Sequence, residues 1–215
     1  MPLHALNHSL WFPPVEDALE DGLLAMGGDV SVPRLICAYQ QGIFPWYDGD
    51  TPLWWSPDPR FVLFPWKLKV SKSMQVILRK NTFRFTTNTA FSQVIRSCKE
   101  WQRRGQDGTW ITDELEASVN QLHQMGIAHS AEAWLGDELV GGLYGMRMGK
   151  MFFGESMFSK VSNASKFAFI KYTQQLQAEQ VYLLDCQVYT EHLESLGAEM
   201  ISRKEFMAAI RENID

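Results

Sequence analysis

Apolar residues recur at helical spacing in several segments of the chain and crowd into short runs in others, with Gly, Pro, Asn and Asp at the breaks. The spacing predicts helices over 31–41, 71–80, 89–103, 112–125, 163–177 and 202–211. Ser31 suits the cap of the first, Pro33 its first turn and Gly42 its stop. Thr112 suits another cap, with Asp113 and Glu114 favouring the first turn and Gly126 the end. Short apolar runs predict strands over 61–64, 130–135, 138–147, 151–157 and 181–185. Turns at Gly136-Asp137 and Gly149-Lys150 join the middle three into a meander.

Residues 1–60 read differently. They are rich in Pro, Gly and Trp, and beyond the helix at 31–41 they carry rigid aromatic segments at 43–47 and 53–60. The expectation is a small N-terminal domain over 1–60 and one larger domain over 61–215. Helices, an antiparallel meander, then helix, strand and helix make an α+β order with a central, mostly antiparallel sheet. That order is similar to the acetyltransferase-like (N-acyltransferase) fold.

Composition narrows the picture. With 215 residues and 46% hydrophobic content, the chain can build a large core. No apolar run is long enough to span a membrane. The start, Met1-Pro2-Leu3-His4, has neither the basic end nor the apolar stretch of a signal peptide. Cys37, Cys98 and Cys186 are few and widely spaced, which points to a reducing, cytoplasmic setting and to no metal site. The net charge of −5 hides an asymmetry. Residues 66–104 hold ten basic groups and only Glu100 as an acid, a local charge of +9 that leaves −14 on the remainder. Either this is a polyanion-binding face or a pair of solvated helix faces.

Two carboxylates stand inside apolar, strand-like runs: Glu155 in Gly154-Glu155-Ser156-Met157-Phe158-Ser159, and Asp185 in Asp185-Cys186-Gln187. Burying an unpaired carboxylate costs several kcal/mol, so each is paired, hydrogen-bonded or functional. The pattern alone leaves backbone capping and catalysis open. The i, i+2 spacing of Asp185 and Gln187 on a strand turns both to one face and Cys186, read as a core residue, to the other. No phosphate-cradling loop, dinucleotide fingerprint, zinc-protease helix or serine-nucleophile elbow occurs. An acyl-CoA N-acyltransferase would need a glycine-rich pyrophosphate loop, and its nearest match, residues 102–107, ends in Asp107 ahead of the sheet.

The chain resembles the bacterial leucyl/phenylalanyl-tRNA–protein transferases. The matching segments begin with Gly22-Leu23-Leu24-Ala25-Met26-Gly27-Gly28-Asp29, Gln41-Gly42-Ile43-Phe44-Pro45-Trp46 and Trp54-Trp55-Ser56-Pro57-Asp58-Pro59-Arg60. They continue with Gly108-Thr109-Trp110-Ile111-Thr112, His129-Ser130-Ala131-Glu132 and Leu139-Val140-Gly141-Gly142-Leu143-Tyr144-Gly145. The two carboxylate segments and Asn163-Ala164-Ser165-Lys166 complete the set, in consistent order and spacing.

The resemblance implies transfer of Leu, Phe and, less well, Met from aminoacyl-tRNA to proteins whose N-terminal residue is Arg or Lys, which marks them for degradation. An aminoacyl ester is already activated, so the implied reaction needs no cofactor and no metal. Positioning the amine on the ester can supply roughly 7–11 kcal/mol, and a general base about 10²–10⁴-fold. By the same resemblance Asp185 and Gln187 form the catalytic pair, with Asp185 polarising Gln187, and Glu155 lies near the aminoacyl group. Trp46 and Trp110 hold the 3′-terminal adenosine, while Trp54 and Trp55 are structural. Leu143, Phe152, Met157, Phe169 and Tyr172 form the Leu/Phe side-chain pocket. The basic segment, with Lys72, Arg79 and Lys80, faces the tRNA body. Two departures stand out: Thr190-Glu191 replaces an expected Asn-Pro or Asn-Asp, and Phe169 is bulkier than the expected aliphatic residue. Besides the acyl-CoA enzyme, a non-enzymatic tRNA-binding adaptor remains an alternative.

Overall fold

The computed structural model describes residues 3–101 and 110–214. The elements run β1 (His4–Leu6), β2 (Leu23–Gly27), α1 (Val32–Gln40), β3 (Phe44–Pro45), β4 (Leu53–Trp55), β5 (Arg60–Leu63), α2 (Lys72–Arg79), β6 (Arg84–Thr87) and α3 (Phe91–Glu100). They continue with α4 (Asp113–Gln124), β7 (Ala128–Leu135), β8 (Glu138–Met148), β9 (Met151–Ser159), α5 (Ala164–Ala178), β10 (Leu183–Gln187), α6 (Glu191–Glu194), β11 (Glu199–Ile201) and α7 (Arg203–Asn213).

The six expected helices form, with shifted ends. Ser31 sits at the start of α1, but its hydroxyl makes no capping bond. Thr112 does cap α4, accepting from Leu115 N, and Ser202 with Glu205 forms a capping box on α7. The helix predicted over 89–103 ends at Glu100, and residues 102 and 103 lie outside the described residues. Strands β6 and β11 are short edge strands that the apolar pattern does not single out. The aromatic segments near the N-terminus pair as β3 and β4.

The strands form two sheets. A four-stranded sheet, in the order β1-β2-β4-β3, makes the small N-terminal domain. A seven-stranded sheet, in the order β11-β5-β10-β9-β8-β7-β6, makes the larger one. Its pairings are antiparallel except β9 with β10. The meander β7-β8-β9, the crossover helix α5 and the parallel return strand β10 give the acetyltransferase-like order. A parallel neighbour requires such a crossover.

One core cluster packs α2 and α5 residues on one face of the large sheet, including Met74, Phe167 and Leu176. The other joins the opposite face to the small domain through Tyr39, Phe44, Trp54, Phe153 and Phe206. Strand β9 pairs with β10 only over Met151, Phe152 and Phe153, and then continues to Ser159 beside β8 alone. The two parallel strands therefore part, and the gap between them opens a cavity.

Candidate active site

The site arises from two bulges that face this gap. Tyr144 pairs with Ser156 and Gly145 with Gly154, so Glu155 is an extra residue in β9. Asp185 pairs with Val62 and Gln187 with Phe61, so Cys186 is an extra residue in β10. A bulge disrupts the ladder and re-aims side chains, which suits an active site. Gly145 permits the β9 bulge, since a Cβ there would lie 2.2 Å from the Phe153 carbonyl oxygen.

Asp185 is 1% exposed and faces an equally buried Arg60 at the start of β5. Arg60 Nε donates to Asp185 Oδ1 at 2.8 Å, and its Nη2 donates to Oδ2 at 2.6 Å. The guanidinium is held between two rings, 4.6 Å from Phe44 of β3 and 4.5 Å from Phe206 of α7. Asp185 Oδ1 also accepts the Gln187 backbone N–H at 2.9 Å. Gln187 has a φ of +64°, off the regular strand, so simple i, i+2 alternation fails here. Asp185 thus contacts the Gln187 main chain, not its amide. That amide instead donates to Glu155 Oε1 at 3.1 Å.

Burial pushes the Glu155 carboxyl up to about 8. Nearby Asp185 adds to the rise, while the Tyr39 hydroxyl, the Gln187 amide and Arg60 oppose it. Burial, and secondarily Asp185, also pushes the Cys186 thiol up, which leaves it a poor nucleophile. His192, on α6, is held below its ordinary value by burial and then by Lys166.

The cavity has a volume of about 410 Å³. Asp185, Gln187 and Glu155 line it, as do Trp46 and Trp110. Leu143, Phe152, Met157 and Phe169 supply apolar wall. Tyr172 does not reach it; it lies behind Phe152, with ring centroids 5.1 Å apart in an edge-on contact. Trp54 is fully buried, with its indole N–H on the Gly27 carbonyl. Trp55 bonds the Trp46 carbonyl, which braces that indole at the rim. Lys72 and Arg79 of α2, and Lys80 just past its end, are exposed away from the cavity. Arg103, Arg104 and the rest of the segment 102–107 lie outside the described residues.

Arg60 was visible in the sequence only as the end of an aromatic-proline segment, and nothing there paired it with Asp185. Trp101 is another lining residue that spacing did not single out; it stands 37% exposed just past α3. Thr190 lines the cavity and caps α6, accepting from Leu193 N, so the departure at 190 serves the local helix. Among the described residues no group of three His, Cys, Asp or Glu is placed to hold a metal. No helix there is long and apolar enough to cross a membrane.

The chain matches the family model for leucyl/phenylalanyl-tRNA protein transferase over residues 62–211. It matches the model for that transferase's N-terminal domain over residues 28–58. It is 56% identical to a leucyl/phenylalanyl-tRNA–protein transferase of Christiangramia forsetii, covering 95% of this chain and 98% of that one. It is 53% identical to the one of Chromobacterium violaceum, covering 94% and 88%. Solved structures match far more loosely: a GCN5-related N-acetyltransferase from Kribbella flavida is 9% identical with a TM-score of 0.40, over 76% of this chain and 58% of that one. Family membership therefore rests on the sequence relatives. The chain belongs to the leucyl/phenylalanyl-tRNA–protein transferase family and is a transferase that moves an aminoacyl group from tRNA to a protein.

Proposed function

We propose that the enzyme moves Leu, Phe and, less well, Met from aminoacyl-tRNA to the N-terminal Arg or Lys of proteins in the cytoplasm, marking them for degradation. The observation that carries this reading is one cavity with an apolar wall, a tryptophan rim and a buried polar edge. Leu143, Phe152, Met157 and Phe169 would enclose the aminoacyl side chain. An apolar wall of this kind separates side chains that differ by a methylene by only about 1–3 kcal/mol, so shape must do the sorting. Trp46 and Trp110 would stack on the 3′-adenosine, each contributing roughly 1–3 kcal/mol.

The polar edge divides the chemistry. Asp185, clamped by Arg60, fixes the turn of the chain at Gln187. The Gln187 amide is turned to Glu155, which leaves Gln187 Oε1 to accept an N–H of the incoming amine. The amine nitrogen attacks the ester carbonyl, the bond to the tRNA 3′ oxygen breaks, and one proton passes from nitrogen to that oxygen. Glu155, hydrogen-bonded to the Gln187 amide, would relay it, and its carboxyl, pushed up to about 8 by burial, suits that task. The basic face of α2, with Lys72, Arg79 and Lys80, would meet the tRNA body.

The test is a transfer assay with Leu-, Phe- and Met-tRNA against peptides that start with Arg, Lys or Ala. Transfer of Leu and Phe to the Arg and Lys peptides, with Met weaker and Ala inert, is expected. Equal transfer to the Ala peptide would overturn the acceptor assignment.

A further inference from the structure

A second cavity, of about 460 Å³, lies on the other side of α5, between that helix, the end of α2 and edge strand β6. Its polar lining is Asn81, Arg84, Lys171 and Gln174, and every one of these side chains can donate a hydrogen bond. Among the described residues no carboxylate lines it. Its floor is rigid: Phe83 and Phe167 are both buried, with ring centroids 5.4 Å apart. Among the described residues, Arg84 and Lys171 form no ion pair. Each instead lies over an aromatic ring, Arg84 on Trp134 at 4.9 Å and Lys171 on Phe85 at 5.9 Å. Rings of this kind hold a cation in place without neutralising it. Arg79 and Lys80, exposed at the end of α2, extend the same positive stripe and are likewise unpaired among the described residues.

An apolar floor under uncompensated donors, with no acid present, suits an anion with several acceptor oxygens. We infer that this cleft seats a backbone phosphate of the bound tRNA, with Lys171 and Arg84 as its direct contacts. The inference rests on the reading of α2 as the tRNA-facing helix, and extends that face onto α5 and β6. The two cavities flank one helix: Phe169 lines the first and Lys171 the second. A helix is only about 10 Å across, so a single polynucleotide can reach both.

The experiment measures tRNA affinity between 50 and 200 mM salt for the intact enzyme, for Lys171→Gln, Arg84→Gln and the pair, and for Lys72→Gln/Arg79→Gln/Lys80→Gln. Each single change in the cleft should weaken binding several-fold and reduce the slope of log affinity against log salt by about 0.7–0.9. The pair should reduce it about twice as much. Turnover of an aminoacyl-adenosine, which has no tRNA body, should stay unchanged. Unaltered affinity and slope in the double variant would overturn the inference, as would an equal loss with aminoacyl-adenosine. If the α2 triple variant loses affinity and the cleft variants do not, the cleft assignment alone fails. If neither set responds, the tRNA-facing reading of α2 fails with it.

Discussion

Replacing Arg60 with Met tests how strand β10 is held. The substitution keeps much of the stem's volume and removes the fork that grips Asp185. Both partners are essentially absent from solvent, so Asp185 would be left as a buried carboxylate with only the Gln187 N–H as donor among the described residues. Breaking a buried pair from one side costs about 3–5 kcal/mol. The lost stacking on Phe44 and Phe206 overlaps with that figure and does not add to it. Against a domain stability of about 5–15 kcal/mol, the loss is severe. Urea unfolding followed by tryptophan fluorescence measures it. Removing the other charge as well, in Arg60→Met/Asp185→Asn, should recover much of the loss, because no charge is then stranded and the asparagine oxygen still accepts from Gln187 N. The resulting coupling should be about 2–3 kcal/mol. A loss under about 1 kcal/mol in the single variant, or no coupling in the double, would refute the account of Arg60 as the clamp. Arg60→Lys keeps the charge but not the planar fork; it should lower kcat for transfer more than it raises KM for charged tRNA.

The ionisation of Glu155 gives a prediction with a definite sign. Its carboxyl releases a proton near pH 8 when folded and near 4.5 when unfolded, so its stabilising contribution is complete below pH 4.5 and falls as pH rises to about 8. Glu155→Gln should flatten that part of the stability curve and remove a rising limb near pH 8 from kcat/KM; an unchanged profile would exclude Glu155 as the proton relay. Trp110→Ala should raise KM for charged tRNA about 5- to 150-fold, the equivalent of losing one stacked base, with kcat little altered. Gly145→Ala should destabilise the protein by about 1–3 kcal/mol, since its Cβ would meet the Phe153 carbonyl at 2.2 Å. Gly154→Ala, whose nearest neighbour is the Asp185 carbonyl at 3.4 Å, should be tolerated on thermal unfolding.

Much of the fold was legible in the chain because it is written in local chemistry. The cap at Thr112, the stop at Gly42 and the meander turns are interactions between near neighbours in sequence. The short edge strands β6 and β11 were not legible: each is defined by its hydrogen-bonded partner, and its own residues show no apolar alternation.

The sequence by itself singled out the candidate residues. Glu155, Asp185 and Gln187 announced themselves as polar groups in apolar runs, and the tryptophans and Phe169 came with the family resemblance. The tertiary structure decided how they meet. Alternation would set Asp185 and Gln187 side by side, but a bulge at Cys186 turns Gln187 toward Glu155 and leaves Asp185 to an arginine 125 positions away. Tyr172 shares a helix face with Phe169 and still stands outside the cavity, because Phe152 fills the space between. Register and bulges depend on how distant strands pair, and the partner of a buried charge is set by which elements converge on it. Neither is encoded in the spacing of neighbours along the chain.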